Sequence, residues 1–250
     1  MPIWLQAGLW GVLAGGALVV GALVAWFVKV PRSVVASVMA FGAGVLISAL
    51  AFDLVAEAES KGGLTPTLGG FLGGAAVYVA ANVALAAKGA RHRKRSEDQQ
   101  PSEDEQSGSG TAIAIGALLD GVPESMVLGL TLLAGQGVGL SVLAAVFISN
   151  LPEGLSSAAG MKRAGRDATY VFGVWCGIAL ISGAAGALGV LLLDGASPAL
   201  VAGITAVAAG AILAMVADTM IPEAFERTHL YAGFVATVGF AVSFGLHQLG

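Results

Sequence analysis

Charge is what this sequence has least of. Only 11% of its 250 residues are Asp, Glu, Lys or Arg, and 7% are aromatic, whereas 56% are hydrophobic and the mean hydropathy is +0.85. That balance excludes an ordinary soluble domain and implies a polytopic membrane protein. Cysteine is nearly absent too: Cys176 stands alone in an apolar run, which excludes an intrachain disulfide framework and reads as packing. No basic residue precedes the first apolar stretch in Met1-Pro2-Ile3-Trp4, so no cleaved signal peptide is expected and the first span is retained. Histidine is limited to His92, His229 and His247, all in a loop or near a span end.

What is present is a series of apolar runs, each long enough to cross about 30 Å of hydrocarbon. They predict an all-α fold of eight transmembrane helices, near 4–28, 33–56, 64–88, 111–133, 138–160, 169–193, 199–221 and 230–248, as one domain over 1–250. With both termini outside, 11 of the 12 Lys and Arg fall on cytoplasmic connections: Lys29, Arg32, Lys88, Arg91, Arg93, Lys94, Arg95, Lys162, Arg163, Arg166 and Arg227. Only Lys61 lies outside, so the excess of cytoplasmic cations sets the orientation. The long connection 89–110 begins with Arg91-His92-Arg93-Lys94-Arg95 and continues acidic and Ser/Gly/Gln-rich, which predicts a disordered cytoplasmic loop.

The second and seventh spans share a pattern. Gly44 precedes Glu57 by the same interval as Gly210 precedes Glu223, in spans that run in opposite directions, the internal symmetry of an inverted-repeat transporter. Small-residue spacings such as Gly70/Gly74 and Gly173/Gly177 predict close helix packing, and glycine-rich faces allow a homodimer in the bilayer.

Carboxylates inside spans need a reason, because an Asp at a helix centre costs roughly 2.5 to 3.5 kcal/mol on insertion scales. The fourth and fifth spans each carry Pro-Glu near mid-depth, in Asp120-Gly121-Val122-Pro123-Glu124-Ser125 and Ser149-Asn150-Leu151-Pro152-Glu153-Gly154. Asp120 and Glu124 share a helix face, as do Asn150 and Glu153, and each proline frees a carbonyl one turn back, at Leu119 and Ile148. Together these oxygens suit a divalent cation. No Lys or Arg lies within the spans to neutralise them. The competing account is a pair of proline kinks whose carboxyls are protonated or paired with a cationic side chain. Asp53, Glu57, Ser149, Asp218 and Glu223 extend the set as candidate pathway residues.

These motifs resemble the ZIP family of divalent metal transporters, over nearly the whole chain. The paired Pro-Glu motifs, the Ala-Gly-x-x-Leu of the seventh span and its Ile-Pro-Glu-Ala carry the resemblance. It implies a transport site in which Glu124 and Glu153 match glutamates that bridge two adjacent metals, Asn150 matches an amide ligand, and Asp120 stands where a histidine is usual. The departures are Gly121 for Asn, Ser149 for the fifth-span histidine, and Gly186 for a sixth-span glutamate. Losing imidazole makes the site harder and widens its expected substrates from zinc to manganese, iron, cobalt or cadmium. The expectation is therefore a carrier moving divalent metal toward the cytoplasm across a plasma membrane, a prokaryotic inner membrane fitting best. Its partners would be metal ions and lipid, with no nucleic acid and no organic cofactor. The alternative is a ZIP-like protein that binds or senses metal without moving it. An intramembrane enzyme is not expected, since His-Glu-x-x-His and any nucleophile-histidine pairing are missing.

Overall fold

Hydrocarbon offers the backbone no hydrogen-bond partner, so an apolar run that enters it closes its bonds within a helix. A computed structural model of the chain describes residues 1–94, 100–133 and 139–249, apart from the side chains of Leu140 and Arg227. Among the described residues there is no strand, and eight helices are long and apolar enough to cross a membrane. They are α1 Ile3–Phe27, α2 Arg32–Gly62, α3 Leu64–Ala86, α4 Ser109–Leu133, α5 Leu140–Arg163, α6 Ala168–Leu193, α7 Pro198–Glu226 and α8 His229–Leu249. The chain is thus all-α and fits a multi-pass membrane protein.

Two helices outrun their apolar segments. α2 continues to Gly62 and α7 to Glu226, past the expected ends at 56 and 221, because Ala, Glu and Lys sustain a helix after hydrophobicity ends. Each is interrupted by one π-helical turn, Leu50–Val55 in α2 and Val216–Met220 in α7. In α7 the turn comes just before Pro222, whose missing N–H would otherwise break the ladder; the Ile221 amide bonds back to the Val216 carbonyl instead. α2 stops at Gly63, where φ of 80° suits only a residue without a Cβ.

The helices sort into two groups. α1, α4, α5 and α6 pack on one another, as do α2, α3, α7 and α8, and the groups meet mainly through α2 on α5 and α4 on α7. About 72% of the apolar stretch of α5 is buried but only 11% of that of α3, so α5 is central and α3 peripheral. Close approach within the first group depends on absent side chains. A Cβ on Gly154 would run into the Leu18 carbonyl, and one on Gly21 into that of Leu151, locking α1 against α5. Gly70 and Gly74 likewise seat α3 on the backbone of α7, as their spacing predicts. Among the described residues, a Cβ on Gly173 or Gly177 would meet nothing within 4 Å, so this spacing does not seat another helix of the chain as expected, and Cys176 beside them is exposed rather than buried.

The connection expected to be disordered is folded in its described parts. Gly89, at φ 97°, turns the chain out of α3, a single 3-10 turn follows at Ala90–His92, and Arg93, Lys94 and Gln100 are buried. Glu103 fastens the return limb: its carboxylate accepts from the amides of Gly108 at 2.7 Å and Gly110 at 2.9 Å and pairs with Arg166 at 2.9 Å. Those amides, with Arg166, hold the Glu103 carboxyl below its usual range. Residues 95–99, in the middle of that connection, and residue 138, the expected start of the fifth span, lie outside the described residues.

The α1–α5 contact yields a direct expectation. Gly154→Val should lower stability by about 1–3 kcal/mol, the usual range for overpacking. Thermal unfolding of the purified protein in detergent checks it, and an unchanged midpoint would mean that α1 and α5 do not meet this closely.

Candidate cation site

Proline sits inside both α4 and α5, at Pro123 and Pro152, and the acidic residues flank it. Asp120 and Glu124 of α4 are 3% and 1% exposed, and Asn150 and Glu153 of α5 are 3% and 4% exposed. Asp120, Asn150 and Glu153 line one cavity of about 10 Å³, roughly the room for a single water. Glu124 lies one turn along from Asp120, within electrostatic reach of Glu153.

The cavity has two further members that reading the spans alone missed. Arg93 reaches in from the turn after α3: its Nε donates to Asp120 Oδ2 and its Nη2 to Asp120 Oδ1, both at 2.9 Å. The same guanidinium donates to the Tyr78 hydroxyl at 2.8 Å and to Asn82 Oδ1 at 2.7 Å, and Tyr78 donates onward to Asp120 Oδ1 at 2.7 Å. Gly116 makes room for it, since a Cβ there would stand 2.5 Å from Arg93 Cδ. Lys94 follows, with Nζ 2.7 Å from Glu153 Oε2 and 3.4 Å from Asp120 Oδ2. The backbone is held by Gln100, which donates to the Arg93 carbonyl, and by the Ser156 hydroxyl, which donates to the carbonyl of Lys94.

The expectation that the buried carboxylates stand free of protein cations therefore fails. The spans indeed hold no Lys or Arg at this depth, but the connection supplies both. A detectable signal was present: three acids without counter-charge in two spans, and a basic run beginning a few residues past the end of the third.

Among the described residues, two cations meet three carboxyl groups here and leave one without a counter-charge. Both oxygens of Glu124 are buried with no hydrogen-bond partner among the described residues, as are Glu153 Oε1, Asn150 Oδ1 and the Ser157 hydroxyl. Asn150 is fixed in orientation because its Nδ2 donates to the Ala14 carbonyl of α1 at 3.0 Å, so the free atom is the oxygen. A buried carboxylate in this state must hold a proton or take a cation. Among the described residues no three His, Cys, Asp or Glu side chains are grouped to hold a metal, and Asp120 and Glu153 are engaged by Arg93 and Lys94 instead.

The expected pathway residues are scattered. Asp53 of α2 accepts from Ser141 of α5 at 2.9 Å and contacts His247 Nδ1 of α8 at 2.7 Å, at the end of the bundle opposite the 89–110 connection. Glu57 is paired with Lys61. Ser149 bonds back to the Val146 carbonyl, and Asp218 is exposed in the π-turn of α7. Glu223 alone joins the site, buried 3.1 Å from the Ser156 hydroxyl that holds Lys94.

No protein-family model matches the chain, and no curated relative matches it, so the functional argument rests on this geometry.

Removing one member of a buried ion pair strands the other. Arg93→Met should cost roughly 3–5 kcal/mol of stability and Asp120→Leu a similar amount, while the double variant recovers most of the loss. Thermal unfolding of the four proteins tests this, and additive losses in the double variant would show that the pair is not coupled.

Proposed function

We propose that the chain carries a divalent metal cation across the membrane toward the cytoplasm through the α4–α5 site. Glu124 is the observation that carries the reading. A fully buried carboxyl group with neither oxygen partnered among the described residues, together with unpartnered oxygens on Glu153 and Asn150, supports a cation site between α4 and α5. Glu124 and Glu153 would hold the ion, Asn150 would complete its shell, and Asp120 would contribute once released from Arg93. The donors are all oxygens, which suits manganese, iron or cobalt as well as zinc or cadmium.

Two features support alternating access about this site. α2 on α8 and α7 on α3 pack in matching ways: Gly44 meets Ala236 and Gly239 meets Phe41 in one pair, Gly210 meets Phe71 and Gly74 meets Val207 in the other. Each of α2 and α7 also carries a π-turn containing an aspartate, Asp53 and Asp218. This is the correspondence expected of an inverted repeat, in which one helix group rocks against the other. The positive-inside rule puts the 89–110 connection, and the exit past Glu223, on the cytoplasmic side.

A second reading has its own observation. Asp120 and Glu153 are already neutralised within the chain, as they would be in a protein that binds or senses metal but does not transport it.

Uptake of zinc, manganese, iron and cadmium into proteoliposomes separates the two. The carrier reading expects uptake of at least one ion, with manganese no worse than zinc, and a loss of roughly tenfold or more in Glu124→Ala, typical for a metal-site residue. Metal bound without uptake would favour the sensing reading, and a clear zinc preference would overturn the argument from donor hardness.

A further inference from the structure

We propose that Lys94 is a tethered occupant of the cation site, which an incoming divalent ion must displace, and that Arg93 latches it there. The inference rests on the cation-site reading above. The Lys94 ammonium is 5% exposed and stands 2.7 Å from Glu153 and 3.4 Å from Asp120, where a bound metal would meet the same carboxylates. The cavity left beside it is about 10 Å³, too small for an ion that keeps waters in its shell. Ion and ammonium therefore exclude each other.

Charge makes the exchange selective. With Asp120 satisfied by Arg93, the pair Glu124 and Glu153 faces one positive charge from Lys94. A monovalent ion in its place gains nothing, whereas a divalent ion supplies the second charge that Glu124 lacks.

The segment is built to leave. Ala90–His92 is one 3-10 turn rather than part of α3, and Gly89 before it is in the left-handed region, so no helix need unwind. Besides the side chains of Arg93 and Lys94, its ties to α5 among the described residues are single hydrogen bonds: Ser156 to the Lys94 carbonyl, and Gln100, whose Nε2 bridges the carbonyls of Arg93 and Ser157. The Ser156 bond also closes the route past Glu223, which lies 3.1 Å from the same hydroxyl.

The network ties the two helix groups together as well. Tyr78 and Asn82 belong to α3, and Arg93 follows it, whereas Asp120 and Glu153 belong to α4 and α5. Any rocking of one group against the other has to break these bonds first, so the resident ammonium holds the empty protein in one state and the metal releases it.

The test measures equilibrium binding of zinc and manganese to the detergent-solubilised full chain, in wild type, Lys94→Met and Lys94→Arg, together with hydrogen exchange of residues 89–94 with and without metal. If Lys94 competes for the site, Lys94→Met binds at least about tenfold more tightly, Lys94→Arg stays near wild type, and metal speeds exchange in wild type. Equal affinities in all three, with metal bound and exchange unchanged, overturn the proposal and leave the cation site standing. Should Lys94→Met fail to fold, wild-type exchange decides: faster with metal supports displacement, unchanged with metal bound refutes it. Folded Lys94→Met that binds neither metal overturns the cation-site reading itself, and this inference with it.

Discussion

The need to neutralise three carboxyl groups packed between α4 and α5 organises much of this molecule. Their burial is nearly complete, so each demands a proton, a hydrogen-bond donor or a cation within a few ångströms. The chain meets most of that demand from an unexpected direction. The turn after α3 folds back into the bundle, Gly116 vacates space for the Arg93 side chain, Tyr78 bridges guanidinium and carboxylate, and Gln100 and Ser156 fasten the backbone that carries both cations. Without the acids, side chains as basic as those of Arg93 and Lys94 would have no reason to leave water.

Such a network is a poor source of net stability. Desolvating each ion costs several kcal/mol, and even good geometry does little more than offset it. Its value lies in the asymmetry between intact and broken states, since losing one partner exposes the full cost of the other. Permanent contacts in this fold are of another kind: α1 on α5, α2 on α8 and α3 on α7 meet backbone to backbone at glycines, with no charge involved. Those contacts lie within each helix group, while the ionic network crosses between the groups, as does the Ser141–Asp53 bond at the opposite end. The carrier proposed above, if it rocks as two bodies, would need this division, firm packing inside each body and switchable polar ties between them.

The helices were legible because hydrocarbon leaves apolar runs no alternative, and the acids of α4 and α5 were legible because nothing else explains a carboxylate at that depth. Their partners were not. Composition sees Arg93 and Lys94 only as members of a basic, hydrophilic run, and the topology argument assigns them to the membrane surface. Neither argument registers that Asp120 lies 27 residues further along the chain and one bond away in space. Tyr78 was hidden for the opposite reason, as one aromatic residue in an apolar span whose hydroxyl matters only once Asp120 is beside it. The pathway residues show the limit of placing acids by span position: Asp218 and Glu223 are neighbours on α7, yet the π-turn leaves one exposed and the other buried beside Lys94.

Donor chemistry follows from the same arrangement. Among the described residues, the unpartnered acceptors at the site are carboxylate oxygens of Glu124 and Glu153, the amide oxygen of Asn150 and the hydroxyl of Ser157. No imidazole or thiol lines the cavity among the described residues: His247 is engaged with Asp53 at the far end, His92 belongs to the turn after α3, and Cys176 is exposed on α6. An all-oxygen set binds through charge more than covalency, so it ranks ions by size and hydration rather than by softness. A lysine ammonium competes well for such a site, because it too is a compact charge recognised by oxygen. An imidazole-rich site would favour a soft metal by a margin no ammonium could contest. An aspartate at position 120 and a lysine in the same cavity are therefore two expressions of one choice of donor.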